Sequence, residues 1–172
     1  TNADYRFEYL KIAEWCNNSC SFCIIPKIRG KQKSLSIEKI CDEIKNMINA
    51  GVQEIILIAQ DTVRYGMDLY WNPSLFTLLE EIEKIPWDFT YRILYMYPNV
   101  LTLKNLQKLK TFKKFIPYFD IPLQHISTNI LKRMGRFYDQ EHIFQLLEMI
   151  KNDFPNSFVR TNFIIGFPGE TE

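Results

Sequence analysis

The sequence predicts an α/β protein built on a parallel sheet of about five strands with flanking helices, arranged as a partial (βα) barrel. Short apolar runs alternate with amphipathic helical patterns along the 172 residues. Such alternation is typical of parallel strands joined by right-handed crossovers. Residues 54–60 are almost continuously apolar, as in strands that are buried on both faces of a sheet.

The first half of the chain predicts two strand–helix units. Residues 9–14 form the first strand, which leads into a cysteine-rich loop. Ser36 is a suitable N-cap and Gly51 a suitable end for a helix over 37–50. After the strand at 54–60, a polar loop leads to Asn72-Pro73, a good N-cap and first-turn pair for the second helix.

The second half repeats this alternation. Strands are expected over 90–96, 118–124 and 159–166, and helices over 103–112, 127–134 and 139–154. Pro122 is expected to end the fourth strand early, because proline has no N–H for the ladder. The pattern calls for a further helix after Glu172, so we expect residues 1–172 to form one incomplete core domain, truncated at its C-terminal end.

Composition and charge exclude several classes of protein. A formal net charge of +1 gives no overall attraction to nucleic acid or anionic membrane. No apolar run approaches the roughly 20 residues needed to cross a bilayer. The N-terminus has neither a basic region nor an apolar one, so it does not look like a signal peptide. We therefore expect a cytoplasmic protein.

Three cysteines, Cys16, Cys20 and Cys23, follow the first predicted strand at Cys-x3-Cys-x2-Cys spacing. In a reducing compartment such clustering predicts a metal site rather than disulfides. Thiolates favour iron–sulfur clusters, zinc or copper. Cys41 lies on the apolar stripe of the helix at 37–50 and is expected to be a small buried hydrophobe.

The predicted strands end in polar or glycine-containing stretches, which include Gln60 and Tyr95. Ligands bind beyond the carboxyl ends of parallel strands, so we expect the site there. Structural zinc takes four protein ligands, which keeps zinc open only if His125 is the fourth. Three thiolates on a four-iron cluster would leave one iron free for a small ligand.

The cysteine motif, with Phe22 before its last cysteine, resembles the signature of radical S-adenosylmethionine (SAM) enzymes. Residues 14–30 and 163–171 are similar, more narrowly, to the methylthiotransferases. Within that family the chain resembles the ribosomal-protein (RimO) branch more than the tRNA-modifying (MiaB) branch. The stretches that carry this distinction are Gln60-Asp61-Thr62 with Tyr65-Gly66, Tyr97-Pro98 and residues 120–125.

The resemblance covers the chain from about Tyr9 to Glu172. Trp15 stands where the family usually has glycine, and its bulk would crowd the cysteine loop.

This resemblance implies a partial radical SAM barrel in which Cys16, Cys20 and Cys23 hold a [4Fe–4S] cluster. The open iron would bind the amino and carboxylate groups of SAM, and an electron would cleave SAM to methionine and a 5′-deoxyadenosyl radical. Further candidate contacts to SAM are Phe22, Gln124 for the ribose, Arg160 for the carboxylate, and Ile164, Gly166, Phe167 and Gly169 for the adenine side. The alternative for Arg160 is a surface arginine.

The resemblance also implies partners. The ribosomal-protein branch methylthiolates an aspartate of the twelfth small-subunit ribosomal protein, with a reductant such as flavodoxin or ferredoxin. A second [4Fe–4S] cluster is expected on an N-terminal domain, and substrate contacts on a C-terminal β-domain, neither within this chain. The fragment is therefore expected not to complete the reaction. The alternatives are a tRNA methylthiotransferase and a non-catalytic zinc or iron–sulfur binding module.

Two basic stretches and one histidine are interpreted separately. The lysines and arginine between Lys27 and Lys33 border the expected site and are a candidate contact for the ribosome or RNA. The lysines between Lys104 and Lys114 fall off the apolar stripe of their helix and are expected to be solvated. His142 is expected on the solvated outer face of its helix.

Overall fold

Helices and strands alternate along residues 6–171, the part of the chain that the computed structural model describes. In chain order they are β1 (Phe7–Lys11), β2 (Ala13–Glu14), α1 (Ile25–Arg29), β3 (Lys33–Ser34), α2 (Ile37–Asn49), β4 (Glu54–Ile58), α3 (Met67–Tyr70), α4 (Leu75–Glu83), β5 (Thr90–Ile93), a 3-10 turn (Pro98–Val100), α5 (Leu103–Leu109), β6 (Phe115–Asp120), α6 (Thr128–Arg133), α7 (Gln140–Asp153) and β7 (Phe158–Arg160).

The central sheet has five strands in the order β1-β4-β5-β6-β7. Every neighbouring pair is parallel, and successive strands of this sheet lie side by side. This arrangement confirms the predicted α/β class and is consistent with a partial barrel. The remaining two strands, β2 and β3, pair antiparallel and close the base of the cysteine loop.

Several element ends differ from the prediction. The first predicted strand divides at Ile12. The Ile12 N–H donates to the Ile58 carbonyl of β4, and the Ile12 carbonyl accepts from the Leu35 N–H. The chain therefore passes from the five-stranded sheet to the two-stranded sheet at this residue. Helix α4 begins at Leu75 rather than at Asn72-Pro73. Helices α1 and α3 lie within stretches expected to be loops.

The helices bury apolar stripes against one face of the sheet. On α2 the stripe includes Ile40 and Ile44, and on α4 it includes Leu78 and Ile82, all fully buried. The Ser36 hydroxyl accepts from the Lys39 N–H at 3.3 Å, which confirms the predicted cap of α2. The apolar periodicity and the cap therefore place the long helices correctly.

The cysteine loop rests on the C-terminal end of α6. The Ser21 N–H donates to the Met134 carbonyl at 3.0 Å, and the Ser21 hydroxyl donates to the Arg133 carbonyl at 2.8 Å. These bonds satisfy carbonyls that a helix end leaves without an intrahelical partner. Gly135 has φ +69°, and a Cβ there would lie 2.8 Å from the Ser19 carbonyl oxygen. Only glycine permits this approach.

We expect Leu78→Ala to lower the free energy of unfolding by about 2–5 kcal/mol, because it removes a fully buried side chain from the core. The adjacent exposed position is a matched control, and Thr77→Ala should change stability by less than about 0.5 kcal/mol. Urea denaturation followed by circular dichroism measures both variants. Equal losses would contradict the burial assigned to this helix.

We expect Gly135→Ala to loosen the cysteine loop. Gly51→Ala is the control, since Gly51 also has a positive φ, +91°, but meets only an Arg6 side-chain atom at 3.9 Å. Both variants incur the left-handed backbone cost of about 1–2 kcal/mol, and only Gly135→Ala should accelerate hydrogen exchange at the Ser21 amide. Unchanged exchange there would show that the contact with Ser19 does not hold the loop.

Candidate functional site

A cavity of about 470 Å³ lies at the carboxyl ends of the sheet strands. Its wall combines the cysteine loop, the strand ends and the turn after α6. The lining residues are Lys11, Cys16, Asn18, Cys20, Phe22, Cys23, Ile25, Pro26, Ile58, Ala59, Gln60, Tyr95, Tyr97, Pro122, Gln124, Arg136 and Asn162. The position agrees with the expectation that a parallel sheet binds ligands beyond its carboxyl edge.

The structure brings five of the predicted site residues together at this cavity: Cys16, Cys20, Cys23, Phe22 and Gln124. The three cysteines come from one loop, whereas Gln124 follows β6 on the far side. The Gln124 backbone joins the sheet edge, since its N–H donates to Asn162 and its carbonyl accepts from Ile164, both at 2.8 Å.

The other five predicted contacts, Arg160, Ile164, Gly166, Phe167 and Gly169, are not among the residues that line the cavity. The Arg160 side chain is half exposed, and its Nε lies 3.7 Å from Oδ1 of buried Asp120. Ile164 is joined to the cavity wall by the backbone hydrogen bond from its N–H to the Gln124 carbonyl. The roles assigned to these five residues from sequence stay predictions.

The glycine-containing turn at 166–169 is folded around the carboxylate of Glu170. One carboxylate oxygen accepts from the Gly166 and Phe167 N–H groups at 2.6 and 3.1 Å. The other carboxylate oxygen lies 3.2 Å from Nε2 of His125. The second ring nitrogen of His125, Nδ1, accepts a hydrogen bond from the Ser127 N–H. His125 therefore carries its proton on Nε2 and donates to Glu170. This bond is the main cause that lowers the pKa of Glu170.

Backbone strain is concentrated at the strand ends around the site. Trp15, Tyr95 and Gln124 have φ values of +65°, +59° and +71°, in a region that non-glycine residues rarely adopt. Each follows a strand and lies in or beside the cavity wall. Such outliers cluster at functional sites, where the surrounding structure over-determines them.

Trp15 adopts a left-handed backbone conformation that favours glycine. The Lys33 ammonium lies 4.8 Å from the centre of the Trp15 ring. A cation over an aromatic face is a favourable contact. It holds the bulky side chain against β3.

A buried carboxylate holds the cysteine loop from below. Asp61 is 2% exposed, and one of its oxygens accepts from the Asn18 amide at 2.7 Å. The Asn18 backbone N–H in turn points to the Cys16 sulfur at 3.4 Å. Burial raises the pKa of Asp61, and the hydrogen bond from Asn18 opposes that rise. Asn18 thus connects the end of β4 to a cysteine.

The three cysteines fit a cluster better than a single ion. Within residues 6–171, no group of three histidine, cysteine or acidic side chains converges closely enough to hold one metal ion. A single zinc needs its sulfurs about 2.3 Å from one point, and His125 is engaged with Glu170. An iron–sulfur cluster receives its thiolates on different iron atoms, so three cysteines spread along one cavity wall suit it.

Burial raises the pKa of the Cys16 and Cys20 thiols. The positive charge of Arg136, which follows α6, opposes this rise at Cys20. Binding of a metal group here must displace the thiol protons, because the thiolate is the ligand.

The cavity wall also contains polar side chains that the sequence did not single out, among them Lys11, Asn18, Arg136 and Asn162. Asn18 lies inside the cysteine motif, between Cys16 and Cys20, so its position was the available signal. Arg136 follows a helix end and belongs to no pattern in the sequence. Its place in the cavity depends on how α6 packs against the cysteine loop.

The remaining predictions about single residues have mixed outcomes. Cys41 is partly buried and packs against the core. Lys108 and Lys110 form ion pairs with Glu80 and Asp153 on the surface, in agreement with a solvated face. The expectation for His142 is wrong: its ring is half-buried, and Nε2 lies 3.3 Å from the Pro98 carbonyl oxygen.

No helix within residues 6–171 is long and apolar enough to cross a membrane.

Two curated proteins whose sequences are similar to this chain carry the same name. A ribosomal protein uS12 methylthiotransferase RimO of Dictyoglomus thermophilum is 48% identical over 164 residues, which cover 95% of this chain and 37% of that protein. A protein of the same name from Carboxydothermus hydrogenoformans is 46% identical over 172 residues, covering 100% of this chain and 39% of that protein. The chain thus spans a little over a third of the length of these curated relatives.

Solved structures share the fold. TsrM, a radical S-adenosylmethionine methyltransferase from Kitasatospora setae solved with cobalamin and a [4Fe–4S] cluster, has a TM-score of 0.75 at 16% identity, over 96% of this chain and 32% of that one. Methylornithine synthase (PylB) has a TM-score of 0.60 at 16% identity, over 96% and 46% of the two chains. The radical SAM superfamily model matches residues 10–172. The chain therefore belongs to the radical SAM superfamily.

Proposed function

We propose that this chain is the radical SAM core of a methylthiotransferase that modifies an aspartate of ribosomal protein uS12. The observation that carries the proposal is the loop of Cys16, Cys20 and Cys23, which opens into a cavity at the carboxyl edge of the sheet. The curated relatives, 46–48% identical and named for this activity, support the substrate.

The cysteine thiolates would hold a [4Fe–4S] cluster. When bound, this cluster supplies the electron that cleaves SAM to methionine and a 5′-deoxyadenosyl radical. The protein contributes position and exclusion of water, because the cofactor carries the difficult chemistry. Asn18 and Ser21 fix the loop on Asp61 and on the end of α6, so the thiolates are held in place from both sides.

The cavity walls would bind and orient SAM. Phe22 and Gln124 line the cavity, where they offer an aromatic surface and an amide for the ribose hydroxyls. We propose that Ile164, Gly166, Phe167 and Gly169 form the adenine side of the site, next to the backbone of Gln124. Arg160 would reach the carboxylate of SAM only by leaving Asp120.

The proposed partners follow from the activity. A small-subunit ribosomal protein or the ribosome supplies the substrate, and a one-electron reductant such as flavodoxin or ferredoxin supplies the electron. The exposed basic side chains from Lys27 to Lys33 provide a surface for ribosomal RNA. These partners place the protein in the cytoplasm.

We expect Cys20→Ala to abolish release of 5′-deoxyadenosine, because one thiolate of the cluster is lost. The chain is reconstituted anaerobically with iron and sulfide, and then given SAM and dithionite. Cys41→Ala is the matched control and should retain the wild-type rate, since Cys41 packs against the core away from the cavity. Stoichiometric binding of zinc without cleavage of SAM would overturn the proposal.

We expect uS12 rather than tRNA to be the methylthiolated substrate. The two are offered in equal amounts to the full-length protein that carries this domain, with SAM and reductant, and the products are identified by mass spectrometry. Modified aspartate in uS12 is the expected result. A methylthio group on tRNA would assign the chain to the tRNA-modifying branch and would leave cleavage of SAM intact.

A further inference from the structure

Arg136 is a buried cation in the wall of the cavity. It is 6% exposed, and its side chain lines the same cavity as the three cysteines. It follows α6, whose end also supports the cysteine loop through Ser21. The helix end therefore brings a guanidinium and a cysteine loop to one place.

Aromatic rings, rather than an acid, surround this guanidinium. Its central carbon lies 4.6 Å from the ring centre of Tyr97, 5.6 Å from that of Phe22 and 5.9 Å from that of Tyr138. Such contacts are favourable for a cation and hold it in a fixed position. Phe22 belongs to the cysteine motif itself, so one of the three rings around the guanidinium comes from the cysteine loop.

No carboxylate neutralises Arg136 among residues 6–171, where none of the ion pairs includes it. Its Nε is buried and has no hydrogen-bond partner. A buried charge without a partner is costly, and a buried unsatisfied donor calls for an explanation such as an absent ligand. The nearby thiols become negative when they bind a metal group.

We propose that Arg136 is a fixed counter-charge for the iron–sulfur cluster, and that its positive charge and its unpaired Nε–H donor stabilise the reduced state of that cluster. This inference rests on the proposed function. Reduction adds one negative charge to the cluster, and a desolvated cation nearby favours that state. Net charge and hydrogen bonds to sulfur are known determinants of cluster potentials. Arg136 is thus a positioning and tuning residue rather than a ligand.

The test is the midpoint potential of the reconstituted cluster, measured without SAM by an anaerobic redox titration followed by electron paramagnetic resonance. Arg136→Gln and Arg136→Met remove the charge and should shift the potential to more negative values. Arg136→Lys keeps the charge and should shift it less. Arg29→Met is the control: it removes an exposed charge from α1, which solvent screens, and the potential should not change.

The potentials and the free energies of unfolding together distinguish a role of Arg136 in tuning the cluster from a purely structural role. A purely structural role for Arg136 would lower the free energy of unfolding in the variants and leave the potential unchanged, which would overturn the inference. One neutral variant that still binds a cluster, either Arg136→Gln or Arg136→Met, is enough to compare its midpoint potential with that of the wild type. Iron and sulfide contents separate the two proposals: a wild-type chain that assembles no four-iron cluster refutes the proposed function, whereas equal potentials in cluster-loaded variants refute only the role of Arg136.

Discussion

The support of the cysteine loop is the constraint on which the rest of the site depends. Residues 15–32 contain only one short helix, so their position comes from contacts with other elements. Asn18 is held by the buried carboxylate of Asp61, and Ser21 is held by the end of α6. The pairing of β2 with β3 closes the loop at its base. These anchors come from distant parts of the sequence, so the loop is placed only when the sheet has formed.

Two features of the site follow from this arrangement. Its strand ends are strained, with left-handed backbone at Tyr95 and Gln124. Two buried charged side chains contribute to its electrostatics: Asp61, which accepts a hydrogen bond from the cysteine loop, and Arg136, whose guanidinium lies near the Phe22 ring of that loop. Asp61 accepts a hydrogen bond from the Asn18 amide, whereas Arg136 forms no ion pair with an acidic side chain among residues 6–171.

The glycine-containing turn after β7 shows how a motif can be local in sequence and still depend on tertiary contacts. Glu170 closes the turn by accepting two backbone N–H groups, and His125 fixes Glu170 from the segment after β6. The same histidine that sequence alone offered as a fourth metal ligand is instead part of this support. Its Nδ1 is occupied by the Ser127 N–H, so its other nitrogen is committed to the carboxylate.

The sequence by itself determined the α/β class, the parallel sheet of about five strands and the three thiols, because periodicity, caps and motif spacing are local properties of the chain. The cap at Ser36 and the apolar run of β4 are examples. Only the tertiary structure decided which side chains line the cavity: it excluded Arg160 from the wall, included Arg136 and removed His125 from the candidate ligands. The physical reason is that ion pairs and close approaches such as that of Gly135 to Ser19 join residues far apart in sequence, where no local pattern records them.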